Sequence, residues 1–230
     1  MSSKKKETHQ DQFESVENAL SKTERYIEEN QKSLTIIVIA IIIIVGGYLG
    51  YKRFVMAPKE NEAKSQMWMA ERYFARDSFN LALNGDGNYL GFLDIIDEYG
   101  ITKSANLASY YSGISYLHLG QYENAIEYLK QFESDDKIVA PIAYGAIGDA
   151  HMELGNADDA LLFYNKAVNA SENEFTTPIY LMKVAFAQKQ NADYNDALET
   201  YKTIKKEYPN TAEGRQADKY IAEVKVLIEE

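Results

Sequence analysis

GQYENAIEYLKQF at 120–132 lies over GNADDALLFYNKA at 155–167 and ADYNDALETYKTI at 192–204. Gly113, Gly120, Ala125 and Leu129 recur 35 positions later as Gly148, Gly155, Ala160 and Tyr164, then 37 later as Ala185, Ala192, Ala197 and Tyr201. A period near 34, with small residues at fixed offsets and aromatics between them, is the pattern of a helix-turn-helix repeat. Each small residue has a physical task in it. Gly113 and Gly148 fall where the two helices of one unit approach, so a side chain there would push them apart. Gly120 and Gly155 can adopt the left-handed conformation that ends a first helix. Ala125, Ala160 and Ala197 let the second helix nest against the first.

Upstream, LGFLDIIDEYG (90–100) aligns with LETYKTIKKEYP (198–209) from the aromatic to the end, with Gly100 where Pro209 falls. A further unit is therefore expected there, its first helix over Glu60 to Leu83 and its inter-helix turn enlarged by LNGDGN (83–88). Terminal repeats are commonly atypical in this way. Downstream of Pro209, Asn210 is placed to cap a last helix with Glu213 three residues on. Ala217, Tyr220, Ile221, Val224 and Leu227 share one face of that helix, as suits a capping element that closes a repeat array.

Further toward the N-terminus, LTIIVIAIIIIVGGYLGY at 34–51 has no charge over eighteen positions and is closed by Lys32 and by Lys52-Arg53. At 1.5 Å per helical residue it spans roughly 27 Å, close to the hydrocarbon core of a bilayer. It reads as a transmembrane anchor; it begins too deep in the chain, and lacks the small-residue cleavage site, for a signal peptide. Gly46 and Gly50 form a G-x-x-x-G pattern that permits close helix approach. The flanking charges do not set the direction: Lys22, Arg25 and Lys32 on one side balance Lys52, Arg53, Lys59 and Lys64 on the other. Ala57-Pro58 is expected to interrupt the helical pattern beyond the run. In the tail, Phe13, Val16, Leu20 and Ile27 share one stripe of a short helix leading into it.

From Ala57 onward there are 16 Lys+Arg against 28 Asp+Glu, a net charge of −12. Such a domain offers nothing to nucleic acid phosphates or an anionic membrane surface. The absence of cysteine removes disulfides, thiolate nucleophiles and zinc–thiolate sites. His9, His118 and His151 are the only histidines, and the last two occupy repeat positions. Asp135-Asp136 and Asp158-Asp159 sit at turns and helix starts, where carboxylates satisfy helix N-termini. LNGDGN lacks the ordered ligands and distal Glu of a calcium loop. No catalytic constellation, cofactor site or metal site is expected.

The repeats resemble the tetratricopeptide repeat family. Its pattern of small residues and aromatics matches Gly113, Tyr116, Gly120, Tyr122 and Ala125, then Gly148, Gly155, Ala160, Tyr164 and Ala167, then Tyr194, Ala197, Tyr201 and Pro209. His151 and Gln188 replace the first-helix Tyr, and Ser109 the large aromatic at its start. With the apolar run, the resemblance gives an expected all-α chain: a tail at 1–33, one transmembrane helix at 34–51 and a juxtamembrane segment at 52–66. An α-solenoid follows at 67–230, with units near 67–100, 106–139, 141–174 and 178–210 and a capping helix at 211–230. It also implies a partner-binding groove lined by first-helix positions. Transferred here, these are Leu107, Tyr110, Ile114, Leu117 and His118, then Ile142, Gly145, Asp149, Met152 and Glu153, then Ile179, Met182, Phe186, Lys189 and Gln190.

Tail, span and acidic repeats in this order, with FLDIIDEYG (92–100) and GAIGDAHMELGN (145–156), resemble the YfgM-type ancillary subunits of the bacterial Sec translocon. That resemblance implies an inner-membrane protein with a cytoplasmic N-terminus and a periplasmic repeat domain. Its expected partners are translocon membrane subunits, periplasmic chaperones and emerging secreted polypeptides. A scaffold subunit that touches no client and a cytosol-facing targeting receptor stay open as alternatives.

Overall fold

The computed structural model describes residues 25–229, all of whose regular elements are helical. The tail residues Phe13, Val16, Leu20 and Lys22 lie outside them. The chain divides into two units, Met1–Ala57 and Pro58–Glu230. Within the first, α1 (Gln31–Tyr51) buries none of its residues. Ile36 and Ile44 are 68% and 70% exposed. Among the described residues, its helix is the one long and apolar enough to cross a membrane. A side chain at Gly46 or Gly50 would meet nothing within 4 Å.

The expected break at Ala57-Pro58 is replaced by a π-helical turn, Lys52–Met56, after which α2 runs over Ala57–Phe74. A proline in a helix lacks the N–H and crowds the carbonyl four residues back, here Phe54 inside that turn. The wider turn shifts the hydrogen bonds at that point.

In the second unit, α2 is followed by α3 (Phe79–Asn84), α4 (Phe92–Tyr99), α5 (Lys103–His118), α6 (Tyr122–Gln131), α7 (Val139–Glu153) and α8 (Ala157–Ala170). Then come α9 (Thr177–Gln190), α10 (Tyr194–Glu207) and α11 (Ala212–Glu229). From α3 on, each helix packs on its neighbours in the chain, and α5 also touches α7, as α9 touches α11. The core is correspondingly divided into four apolar clusters stacked along the chain, the first around Phe92 and Ile95, the last around Tyr201 and Ile204. This is the nearest-neighbour construction of an α-solenoid.

Four first helices end in the same way. Asp77, Gly120, Gly155 and Ala192 have φ of 57°, 70°, 76° and 61°. Each N–H donates three residues back, and the next residue donates five back, as Ser78 does to Tyr73 and Gln121 to Tyr116. These are Schellman ends, which need a left-handed residue after the helix. They correct the reading of the first unit. Its first helix stops at Phe74, not Leu83, and Ala70, Asp77 and Ala82 hold the places of Gly113, Gly120 and Ala125. LNGDGN therefore interrupts the second helix, splitting it into α3 and α4, and does not enlarge the inter-helix turn. Asp86 organises that loop by accepting the N–H groups of Asn88 and Tyr89 at 2.9 Å and the Tyr73 hydroxyl at 2.8 Å.

Two caps differ from simple expectation. Thr211, not Asn210, caps α11, its hydroxyl accepting the Gly214 N–H at 3.1 Å. The start of α5 is capped twice: Thr102 accepts from Ala105, and Glu60 reaches from α2 to accept the N–H groups of Lys103 and Ser104 at 2.8 and 3.2 Å.

Candidate partner-binding pocket

The repeat geometry sets first helices side by side, and their small residues decide how near they come. A side chain at Gly148 would lie 2.5 Å from the Tyr164 ring and one at Gly113 2.4 Å from Leu129, so both glycines are close approaches within a unit. Gly145, expected in the groove, is buried: its missing side chain makes room for the Tyr180 ring of the next unit, which a Cβ would approach to 2.0 Å. It joins successive units.

Between α5, α7 and α9 lies a pocket of about 430 Å³. Leu117, Met152 and Phe186 give it an apolar lining, and Tyr122 and Tyr164 contribute from the second helices α6 and α8. Asp149 is its polar hub. Its carboxylate accepts the Tyr164 hydroxyl at 2.8 Å and Lys183 Nζ at 2.5 and 2.6 Å. Burial, reinforced by the Asp149 charge and hydrogen bond, pushes the Tyr164 phenol far above its ordinary range, so it remains a donor. Phe186 is 44% exposed despite its size. A second pocket of about 720 Å³ shares Met152, Glu153 and Phe186 with the first and continues past Asp158, Asp159, Gln190 and Asn191.

Of the groove residues read from the sequence, Leu117, Asp149, Met152, Glu153 and Phe186 line the first pocket. Others are drawn into packing. Leu107 sits against the first core cluster, Tyr110 and Ile114 against the second, and Met182 against the last. His118 is exposed and stacks on Phe79, centroids 4.6 Å apart. Lys189 pairs with Glu223 at 2.6 Å. Ile142 is half-buried, and Ile179 is 39% exposed away from both pockets. The sequence reading missed Tyr122, Tyr164 and Lys183. The two tyrosines stand at the repeat's own aromatic positions, a signal that was present; Lys183 carries none, because only the fold brings it to Asp149.

His151 is 8% exposed, and neither ring nitrogen has a hydrogen-bond partner. It stacks on Phe163 with centroids 5.4 Å apart, and its Nδ1 lies 3.8 Å from Asp159. Burial holds its pKa below the ordinary imidazole value and outweighs the upward pull of Asp159. Among the described residues, no three His, Asp or Glu side chains are arranged to hold a metal ion.

No curated protein matches the chain. Residues 110–174 and 180–211 each match a model described as tetratricopeptide repeat. These segments hold most of the pocket-forming helix pairs, and over them the chain carries tetratricopeptide repeats, a protein–protein interaction module.

Proposed function

We propose that the protein is a non-enzymatic, membrane-anchored adaptor whose repeats hold an extended segment of a partner polypeptide. The observation that carries this reading is the pocket around Phe186, an apolar lining left open between first helices of successive repeats. Met152 suits adaptable contact with varied apolar side chains. The uncovered apolar length of α1 supports an anchor. The order of tail, span and acidic repeats supports a place at the bacterial Sec translocon, with the N-terminus cytoplasmic and the repeats periplasmic. There the partners would be emerging secreted polypeptides or periplasmic chaperones. A photo-crosslinking residue at Met152, in the full chain within its membrane, should capture such a polypeptide, and Phe186→Asp should abolish the adduct. Unchanged crosslinking would overturn the reading. It would favour instead a scaffold docked through the open faces of Gly46 and Gly50.

A further inference from the structure

We infer that the segment held by this trough is a basic apolar one, with Lys or Arg set between large apolar side chains. The inference rests on the adaptor reading and specifies its partner. The two pockets share Met152, Glu153 and Phe186 and so form one trough across α7 and α9. Four carboxylates line it, those of Asp149, Glu153, Asp158 and Asp159, against Lys183; a further cation, Lys189, lies 5.9 Å over the Phe186 ring and is paired with Glu223. Asp149 and Lys183 neutralise each other directly. The other three have no Lys or Arg partner among the described residues. Glu153 accepts only the Tyr122 hydroxyl at 3.4 Å, Asp158 the Asn191 amide at 2.6 Å, and Asp159 faces the buried His151.

The arrangement selects by both sign and shape. An apolar side chain seated against Met152 and Phe186 has Glu153 beside it in either pocket, and Asp158 and Asp159 line the second pocket with it. A cation there meets unmatched carboxylates beside low-dielectric apolar walls, where attraction is less screened than in bulk water. An acidic segment meets the same three charges as repulsion. The net charge of −12 from Ala57 onward adds a field that steers cationic chains toward the domain.

The test measures fluorescence anisotropy of the full chain in non-ionic detergent with three labelled peptides of equal length. They share the same Leu and Phe positions and carry Lys, Ser or Glu between them. The Lys peptide should bind about tenfold more tightly than the Glu peptide, as expected for several partly exposed ion pairs, and high salt should shrink the difference. Replacing Glu153, Asp158 and Asp159 by Gln, Asn and Asn should remove most of that preference and leave the Ser peptide unchanged. All three are exposed, and circular dichroism checks the fold. Equal binding of all three peptides, still abolished by Phe186→Asp, would overturn the charge selection and leave the adaptor reading standing. Binding that Phe186→Asp leaves intact, or no binding at all, would overturn both.

Discussion

At the scale of single residues, His151 is a buried titratable group whose two ring nitrogens the fold leaves without hydrogen bonds. Its neighbours of opposite effect are Asp159, which favours the charged form, and Lys130, which with burial disfavours it. Because the folded pKa lies below the unfolded value near 6.5, the native state binds its proton later than the unfolded chain. The stability tied to this site is therefore full above that value and is lost as pH falls through the depressed one. His151→Phe keeps the stack on Phe163 and removes both orphaned nitrogens. Chemical denaturation should show it about 1 kcal/mol more stable at neutral pH, with a flatter loss between about pH 7 and 5. An equal pH slope in both proteins would contradict the assignment. The repeat pattern accounts for the place of this residue; that its nitrogens face no partner is a fact of three-dimensional neighbours.

At the scale of elements, the informative contact is the reach of Glu60 from α2 to the start of α5. Burial raises the Glu60 pKa, but hydrogen bonds from the Ser104 N–H and hydroxyl, Lys64 and the Lys103 N–H outweigh it, so the net shift is downward. A carboxylate at a helix N-terminus satisfies donors that the helix itself cannot. Glu60→Ala should cost about 1–2 kcal/mol in urea unfolding, and the loss should vanish in acid, where the wild-type carboxylate is protonated as well. No sequence period marks this cap, since its partners are 43 and 44 residues away. The misread first unit has a different cause. Its helix end is marked by Asp77, a residue able to take positive φ but a weaker signal than glycine, and the interrupting loop hides the period. Ala70, Asp77 and Ala82 carried the register all the same.

At the scale of the molecule, the two units follow different rules of burial. The repeats bury apolar side chains in four successive clusters, whereas α1 leaves Ile, Val and Leu uncovered along its length. That surface is stable in hydrocarbon and a liability in water. Replacing Ile39 and Ile43 with Lys should add about 6 kcal/mol to insertion. The variant should move from the alkali-resistant membrane pellet to the extractable fraction, and its retention in the pellet would contradict the anchor.

The sequence alone determined the repeat, the left-handed helix ends at Gly120 and Gly155, and the apolar run. Each depends on the conformational limits of a residue or on hydrophobicity along one short stretch, and so is written locally. Tertiary structure alone decided which offset positions remain open and which are consumed in packing. Phe186 stays exposed while Tyr110 and Ile114 are drawn toward the core, and Lys183 meets an Asp149 that lies 34 residues earlier. The physical reason is that an opening between three helices depends on how close they come. Those distances are set by pairs such as Gly145 with Tyr180, whose members lie in different repeats.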